Sequence, residues 1–222
     1  MLNKNMETFL CCDSDYEEAG VVLFGAPFDS TTSYRPGTRF GSAAIRRESY
    51  GLESFSPYQE RDLLDCRIFD SGDIELPFGN PTRALSMIEE RAATILQDGK
   101  LPFLTGGEHL VTLGAFSAVY DRYPDVHILH FDAHADLRQE YLGSELSHAC
   151  VLRRCWDKTG DGKIHQFGIR SGDRDEFLWG KDHVETHRFT LDTLEETVAR
   201  LGDVPVYLTC LLYTSDAADD LT

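Results

Sequence analysis

Short apolar runs alternate with helix-spaced patterns from residue 21 to residue 209, and that alternation leaves few architectures open. Val21–Gly25, VVLFG, reads as a strand buried on both faces, because its apolar residues are continuous rather than alternating. The loop FDSTTSYRPGTRFG follows it, then a helix beginning near Ser42. Arg67–Phe69 is a second, shorter strand. The clearest helix covers Asn80–Gly99: Asn80 suits the N-cap, Pro81 the first helical position and Gly99 the C-terminal stop. Leu85, Ile88, Ala92 and Ile95 give that helix one apolar face.

Pro102–Thr105 is the next strand and runs into Gly106-Gly107, followed by a helix through about Tyr120. Val126–Phe131, Ile164–Gly168 and Val184–Arg188 continue the series, separated by helical stretches near 147–157 and 174–181. Leu194–Leu201 reads as a helix opened by Thr190 or Asp192, and Val204–Thr209 is the last strand. The pattern predicts an α/β fold on a parallel sheet. With no linker-like stretch and no internal repeat, residues 1–209 read as one domain.

Composition narrows the function. Hydrophobic residues are 41% and charged residues 27% of the 222, which sets the chain apart from disordered and collagen-like polypeptides. No apolar run approaches the roughly 20 residues of a membrane helix, and MLNKNMETFLCCDSDYEE has too short an apolar stretch for a signal peptide. No membrane partner is expected. The net charge of −17 repels phosphate backbones, so nucleic acid is not an expected partner, whereas a cationic ligand or a metal is favoured. Cys11, Cys12, Cys66, Cys150, Cys155 and Cys210 form no CxxC pair and have irregular spacing. They predict free thiols in a reducing, cytoplasmic setting.

In parallel α/β sheets, ligands bind beyond the carboxyl ends of the strands. Two such positions carry chemistry: Gly106-Gly107-Glu108-His109, and His130-Phe131-Asp132-Ala133-His134-Ala135-Asp136. Residues 132, 134 and 136 would project to one side of an extended chain. Burying Asp132 and Asp136 together is costly unless a cation neutralises them. Carboxylate and imidazole without thiolate favour manganese, iron or zinc, and two aspartates able to bridge suit a two-metal site. His130 falls inside the strand and is expected to pack or to support the site from behind; His127, His165, His183 and His187 carry no motif. Gly160-Asp161-Gly162-Lys163 lacks phosphate-loop spacing and reads as a turn.

GGEHLVTLG together with HFDAHADLR resembles the ureohydrolases, the arginase and agmatinase group of binuclear manganese enzymes. GAPFDSTTSYRPGTRFG, PFGNP, LSHACVLRR and FGIRSG look like the bacterial agmatinase branch, and the resemblance spans about residues 20–209. It implies a three-layer α/β/α fold with an eight-stranded parallel sheet, assembled as a homo-oligomer, a trimer or hexamer. It implies that His109, Asp132 and Asp136 hold one Mn2+, and that Asp132 and His134 hold the second, with Asp132 bridging. Glu108 stands where many members have aspartate, so a supporting role or a place at the helix start is expected. His148 matches a family histidine that moves protons near the substrate. The implied reaction is hydrolysis of a small cationic guanidino compound, agmatine giving urea and putrescine, a step of polyamine biosynthesis. Two metals make hydroxide available at neutral pH, and His148 would protonate the leaving amine.

The chain departs from the family after VPVYLT, where a D-x-D pair should supply further metal ligands. Residues 210–222 read CLLYTSDAADDLT instead, resembling the translation of a transposon adapter used in shotgun sequencing. This predicts a truncated ureohydrolase region, 1–209, with a non-native tail at 210–222. A further family strand would lie between strands already present, so the truncated chain is expected to be poorly soluble and inactive. Other readings are a guanidinobutyrase, guanidinopropionase or arginase, a non-catalytic relative acting in assembly, and a zinc deacetylase. The paired motifs, suited to two metals, disfavour the last.

Overall fold

Every apolar run named above becomes a parallel strand in the computed structural model, which describes residues 2–212. The chain divides into two compact units, the first reaching to Ala118 and the second beginning at Val119. Residues 213–222, most of the expected tail, lie outside the described residues.

In the first unit, β1 (Val21–Ala26) is followed by α1 (Gly41–Ser49), a two-residue hairpin of β2 (Phe55–Ser56) and β3 (Arg61–Asp62), and β4 (Ile68–Asp73). Then come α2 (Pro81–Gln97), β5 (Leu101–Gly106) and α3 (Val111–Arg122), the division between units falling within α3. The sheet order is β4-β1-β5, all parallel, with Val22 opposite Phe69 on one side and Pro102 on the other. β1 is central, so Val22, Phe24 and Ala26 are fully buried. Pro102, which has no N–H to donate, sits on an edge strand, where the ladder tolerates it. Asn80 caps α2 by accepting the Arg83 N–H at 3.0 Å. The face α2 buries is Ala84, Ile88, Ala92 and Ile95, one residue displaced from the expectation, with Leu85 only half-buried.

The N-terminal segment covers the outer side of β4: Asp13 bridges Phe69, and the Asp70 N–H donates to Cys12 O at 3.1 Å. Beneath it, buried Arg46 grips buried Asp70 through two nitrogens at 2.8 and 3.0 Å. A carboxylate buried so deeply requires such a partner.

In the second unit, β6 (His127–Phe131), α4 (Val151–Thr159), β7 (Ile164–Ile169), α5 (Arg174–His183), β8 (Glu185–Arg188), α6 (Leu194–Leu201) and β9 (Val206–Cys210) form a parallel sheet of order β8-β7-β6-β9 with its helices. Residues 160–163 are the expected turn into β7. Val184 does not join β8, because its N–H closes α5 on Gly180 O at 2.9 Å. The cap of α6 also differs from the expectation. Thr193 occupies the N-cap but makes no side-chain cap bond, because its hydroxyl lies 2.7 Å from His187 Nδ1.

β5 and β9 are sheet edges among the described residues, and each exposes an apolar row: Leu101 and Phe103 on β5, Val206 and Leu208 on β9. No helix among the described residues is long and apolar enough to cross a membrane.

Candidate metal centre

β6 ends at Phe131, but the chain continues alongside the exit of β7. The Asp132 N–H donates to Phe167 O at 3.3 Å, the Arg170 and Ser171 N–H groups both donate to Ala133 O at 2.8 Å, and the Ala135 N–H donates to Ser171 O at 3.0 Å. At Asp136 the backbone turns to φ 52°, a left-handed conformation uncommon outside glycine and best tolerated by Asp and Asn. This changes the reason for convergence expected from the sequence. Four residues of extended chain cover about 13 Å, too far for the carboxylates at 132 and 136 to meet. The chain bends at Ala133, between the two aspartates, and the left-handed backbone of Asp136 redirects the second side chain.

His130, Asp132 and Asp136 each present a ligand atom within 4.8 Å of the others, and all three are buried. Asp132 Oδ1 accepts the His134 N–H at 2.9 Å, and His134 Nδ1 lies 3.7 Å from the same oxygen. The His134 side chain is 44% exposed, beside the buried group rather than within it. Its interaction with Asp132, with the Asp136 charge adding, pushes the imidazole above its ordinary pKa against the opposing effect of burial. A field that retains a proton also attracts a divalent cation. Two buried carboxylates beside imidazole, without thiolate, fit a divalent metal of the manganese–iron–zinc range.

In the first unit, Gly106-Gly107-Glu108-His109 leaves β5 as expected. A Cβ on Gly107 would overlap the backbone of Phe28, whose carbonyl accepts the Glu108 N–H at 2.8 Å, so only glycine allows this close passage. Glu108 and His109 are both buried. Burial pushes the Glu108 carboxyl up to about 7, although the Thr31 hydroxyl at 2.6 Å and the Thr31 N–H work against that rise. Glu108 therefore anchors the loop after β1, and its carbonyl accepts the Val111 N–H at the start of α3 (3.2 Å). Within the same loop, Asp29 accepts the Gly37 N–H at 2.9 Å and Arg39 Nε–H at 2.8 Å.

His148 opens a short 3-10 turn before α4 and is half-buried. Its Nδ1 is 3.4 Å from Ser147 Oγ, and the Tyr141 ring meets it edge-on at 5.7 Å. It is not part of the converging group around Asp132.

Two supporting residues escaped the sequence reading. Gln166, fully buried on β7, contacts His130 and the backbone of Ala135. Glu176 on α5 accepts the Leu137 N–H and lies 3.3 Å from Arg138. Neither belongs to a motif. The only local signal was Asp173-x-x-Glu176, a capping box in which both reciprocal bonds form.

A parallel α/β scaffold presenting buried carboxylates and imidazole at a strand exit defines a metal-binding hydrolase of the arginase-like fold. The profile of the Arginase family matches residues 19–216, and the chain belongs to that family. It is 47% identical over 214 residues to an agmatinase of Bacillus subtilis (strain 168), covering 96% of this chain and 74% of the relative. It is also similar to the crystal structure of a putative agmatinase from Clostridium difficile, with 47% identity, TM-score 0.85, and 87% of this chain and 71% of that one covered. The agmatine ureohydrolase of Thermoplasma volcanium superposes with TM-score 0.83 at 35% identity, over 93% of this chain and 71% of that one.

Proposed function

We propose that the protein is a manganese-dependent agmatinase, hydrolysing agmatine to urea and putrescine in the cytoplasm. The observation that carries this reading is the buried pairing of Asp132 and Asp136 at the exit of β6, in a chain 47% identical to an agmatinase. Following the family pattern, His109, Asp132 and Asp136 are assigned to one Mn2+ and Asp132 with His134 to the second. Bound there, the ions would supply a water acidic enough to act as hydroxide at neutral pH and would polarise the guanidinium.

The remaining chemistry belongs to the chain. The net charge of −17 draws in a cationic substrate, most strongly at low salt. His148, its ring oriented by Ser147 and Tyr141, is assigned the proton that the leaving amine must receive. Assembly as a trimer or hexamer is part of the same reading.

Urea release from agmatine, run beside arginine and 4-guanidinobutyrate, tests it on the Mn2+-loaded protein continued after Thr209 with a family-type D-x-D strand. Turnover confined to agmatine is the expected outcome. Preference for arginine or guanidinobutyrate would move the assignment within the family, and no turnover of any of the three would sink it. Light scattering reads the oligomeric state.

A further inference from the structure

His130 is the fully buried member of the group around Asp132, and its role depends on which ring nitrogen carries the proton. The answer comes from the next strand. Gln166 is the register partner of His130 on β7, and Thr186 is the partner of Gln166 on β8. One end of the Gln166 amide lies 2.7 Å from Ala135 O, a carbonyl that can only accept, so that end is the NH2 group. The other end accepts the Thr186 hydroxyl at 3.0 Å. The orientation of the amide is therefore fixed from both sides.

One amide hydrogen goes to Ala135 O, and the second points at His130 Nδ1, 3.0 Å away. Nδ1 must accept it, which places the ring proton on Nε2. That nitrogen faces Asp132 Oδ2 at 3.4 Å. A protonated Nε2 donates to a carboxylate and has no lone pair for a metal.

We infer that Gln166 is a positioning residue that locks His130 in its Nε2–H form, so that His130 orients the Asp132 carboxylate instead of joining the metal ligands. The three-strand relay Thr186–Gln166–His130 then fixes Asp132 from behind, while the His134 N–H holds its other oxygen at 2.9 Å. This deepens the metal-site reading above and rests on it for the role of Asp132. Supporting bonds of this kind orient ligating groups, and their loss commonly weakens metal binding by about 10- to 100-fold.

The test uses the whole chain labelled with 15N-histidine, the His130 signals being assigned by their loss in His130→Gln. Long-range 1H–15N correlation spectra of the metal-free protein should show His130 with Nε2 protonated and Nδ1 bare. Adding Cd2+ should leave that pattern intact, with no 113Cd coupling at His130. An Nδ1–H form, or a direct cadmium coupling at Nε2, overturns the inference, and both are read on the unmodified chain.

Gln166→Glu and Gln166→Met then probe the cause. The glutamate reverses the hydrogen-bond demand and should shift His130 toward Nδ1–H, and the methionine should leave a tautomeric mixture. Each folded variant should bind Mn2+, followed by the EPR signal of the free ion, about 10- to 100-fold more weakly. An unchanged tautomer and unchanged Mn2+ affinity in a folded variant overturn the positioning role. Because the tautomer is read without substrate, a protein carrying the family-type D-x-D strand that locks His130 yet fails to hydrolyse agmatine would count against the proposed reaction and leave this inference standing.

Discussion

The buried carboxylate of Glu176 accepts the backbone N–H of Leu137 at 2.9 Å, one residue beyond Asp136 and its left-handed turn. The other carboxylate oxygen accepts the Asp173 N–H at 2.8 Å and meets Arg138 Nε at 3.3 Å, so α5 is tied to the loop that shapes the site. Glu176→Ala leaves the Leu137 N–H buried and unpaired, which costs about 1–3 kcal/mol. Urea denaturation should show that loss as a lower midpoint. Glu176→Gln, which still presents one acceptor oxygen, should lose less, and equal losses would show that the Leu137 bond is not what matters.

Acid should destabilise the chain well above the range of ordinary carboxylates. On one face of the second sheet, His127 Nδ1 lies 2.9 Å from His165 Nε2, and His165 Nδ1 lies 2.6 Å from Glu185. Burial, with the nearby Lys163 charge, pushes His127 down to about 4, and burial also lowers His165 despite Glu185. Burial alone would raise Glu185, but Arg200 and His165 override it and hold the carboxyl at about 2. Both kinds of shift favour the deprotonated group in the folded state. The histidine contribution is therefore complete above about pH 6.5 and is lost as pH falls towards 4. The Glu185 contribution is lost lower, between its ordinary value of 4.5 and about 2. Thermal melts from pH 7.5 to 4 should fall steadily in the wild type and less steeply in His127→Gln. Parallel slopes would remove His127 as the cause.

The contrast between elements shows how much was legible in the sequence. The buried strands and α2 were readable because their signals are local: continuous apolar runs, and a cap and proline within a few residues of each other. The buried meeting of Asp132 and Asp136 was readable because both sit in HFDAHAD, although it comes from the bend at Ala133 and the left-handed backbone of Asp136 and not from strand alternation. The β2–β3 hairpin has two residues per strand, too few to show a period. The start of α6 was expected at Thr190 or Asp192, but the N-cap is Thr193, whose hydroxyl engages His187 on β8, a tertiary contact. Gln166 was illegible for the same reason: its partners His130 and Ala135 are 36 and 31 residues away, and a lone strand glutamine resembles any other.

Gly107 should be intolerant even of alanine. A methyl group there overlaps Phe28 O, and the backbone must shift because no flexible side chain can yield. Overpacking of this kind costs about 1–3 kcal/mol or more, and it falls beside His109. Gly107→Ala should lower the denaturation midpoint and weaken Mn2+ binding together. A variant as stable as the wild type would show that the loop after β1 relaxes freely.

The apolar rows on β5 and β9 predict self-association. Phe103 is 54% and Leu208 62% exposed, each on a strand that is a sheet edge among the described residues. Edges of that character invite pairing with other chains, and inserted lysines discourage it. Dynamic light scattering should show concentration-dependent growth for the wild type and markedly less for the Phe103→Lys/Leu208→Lys double variant. Equal growth in both would place the contact elsewhere.

Divalent metal should stabilise the fold through Asp132 and Asp136, whose buried charges lie within 4.8 Å of each other. A ligand that binds only the folded state adds about 2.7 kcal/mol when present at 100 times its dissociation constant. For a protein of this size, 1 kcal/mol corresponds to roughly 2–4 °C, so saturating Mn2+ should raise Tm by about 5–10 °C and EDTA should reverse the rise. Asp132→Asn removes one of the two like charges and should therefore melt no lower than the metal-free wild type, while losing most of the Mn2+-dependent shift. Asp136→Asn carries a further consequence, because asparagine also tolerates φ 52° and so separates lost charge from lost geometry. A full Mn2+ shift in both variants would rule these carboxylates out as the metal site.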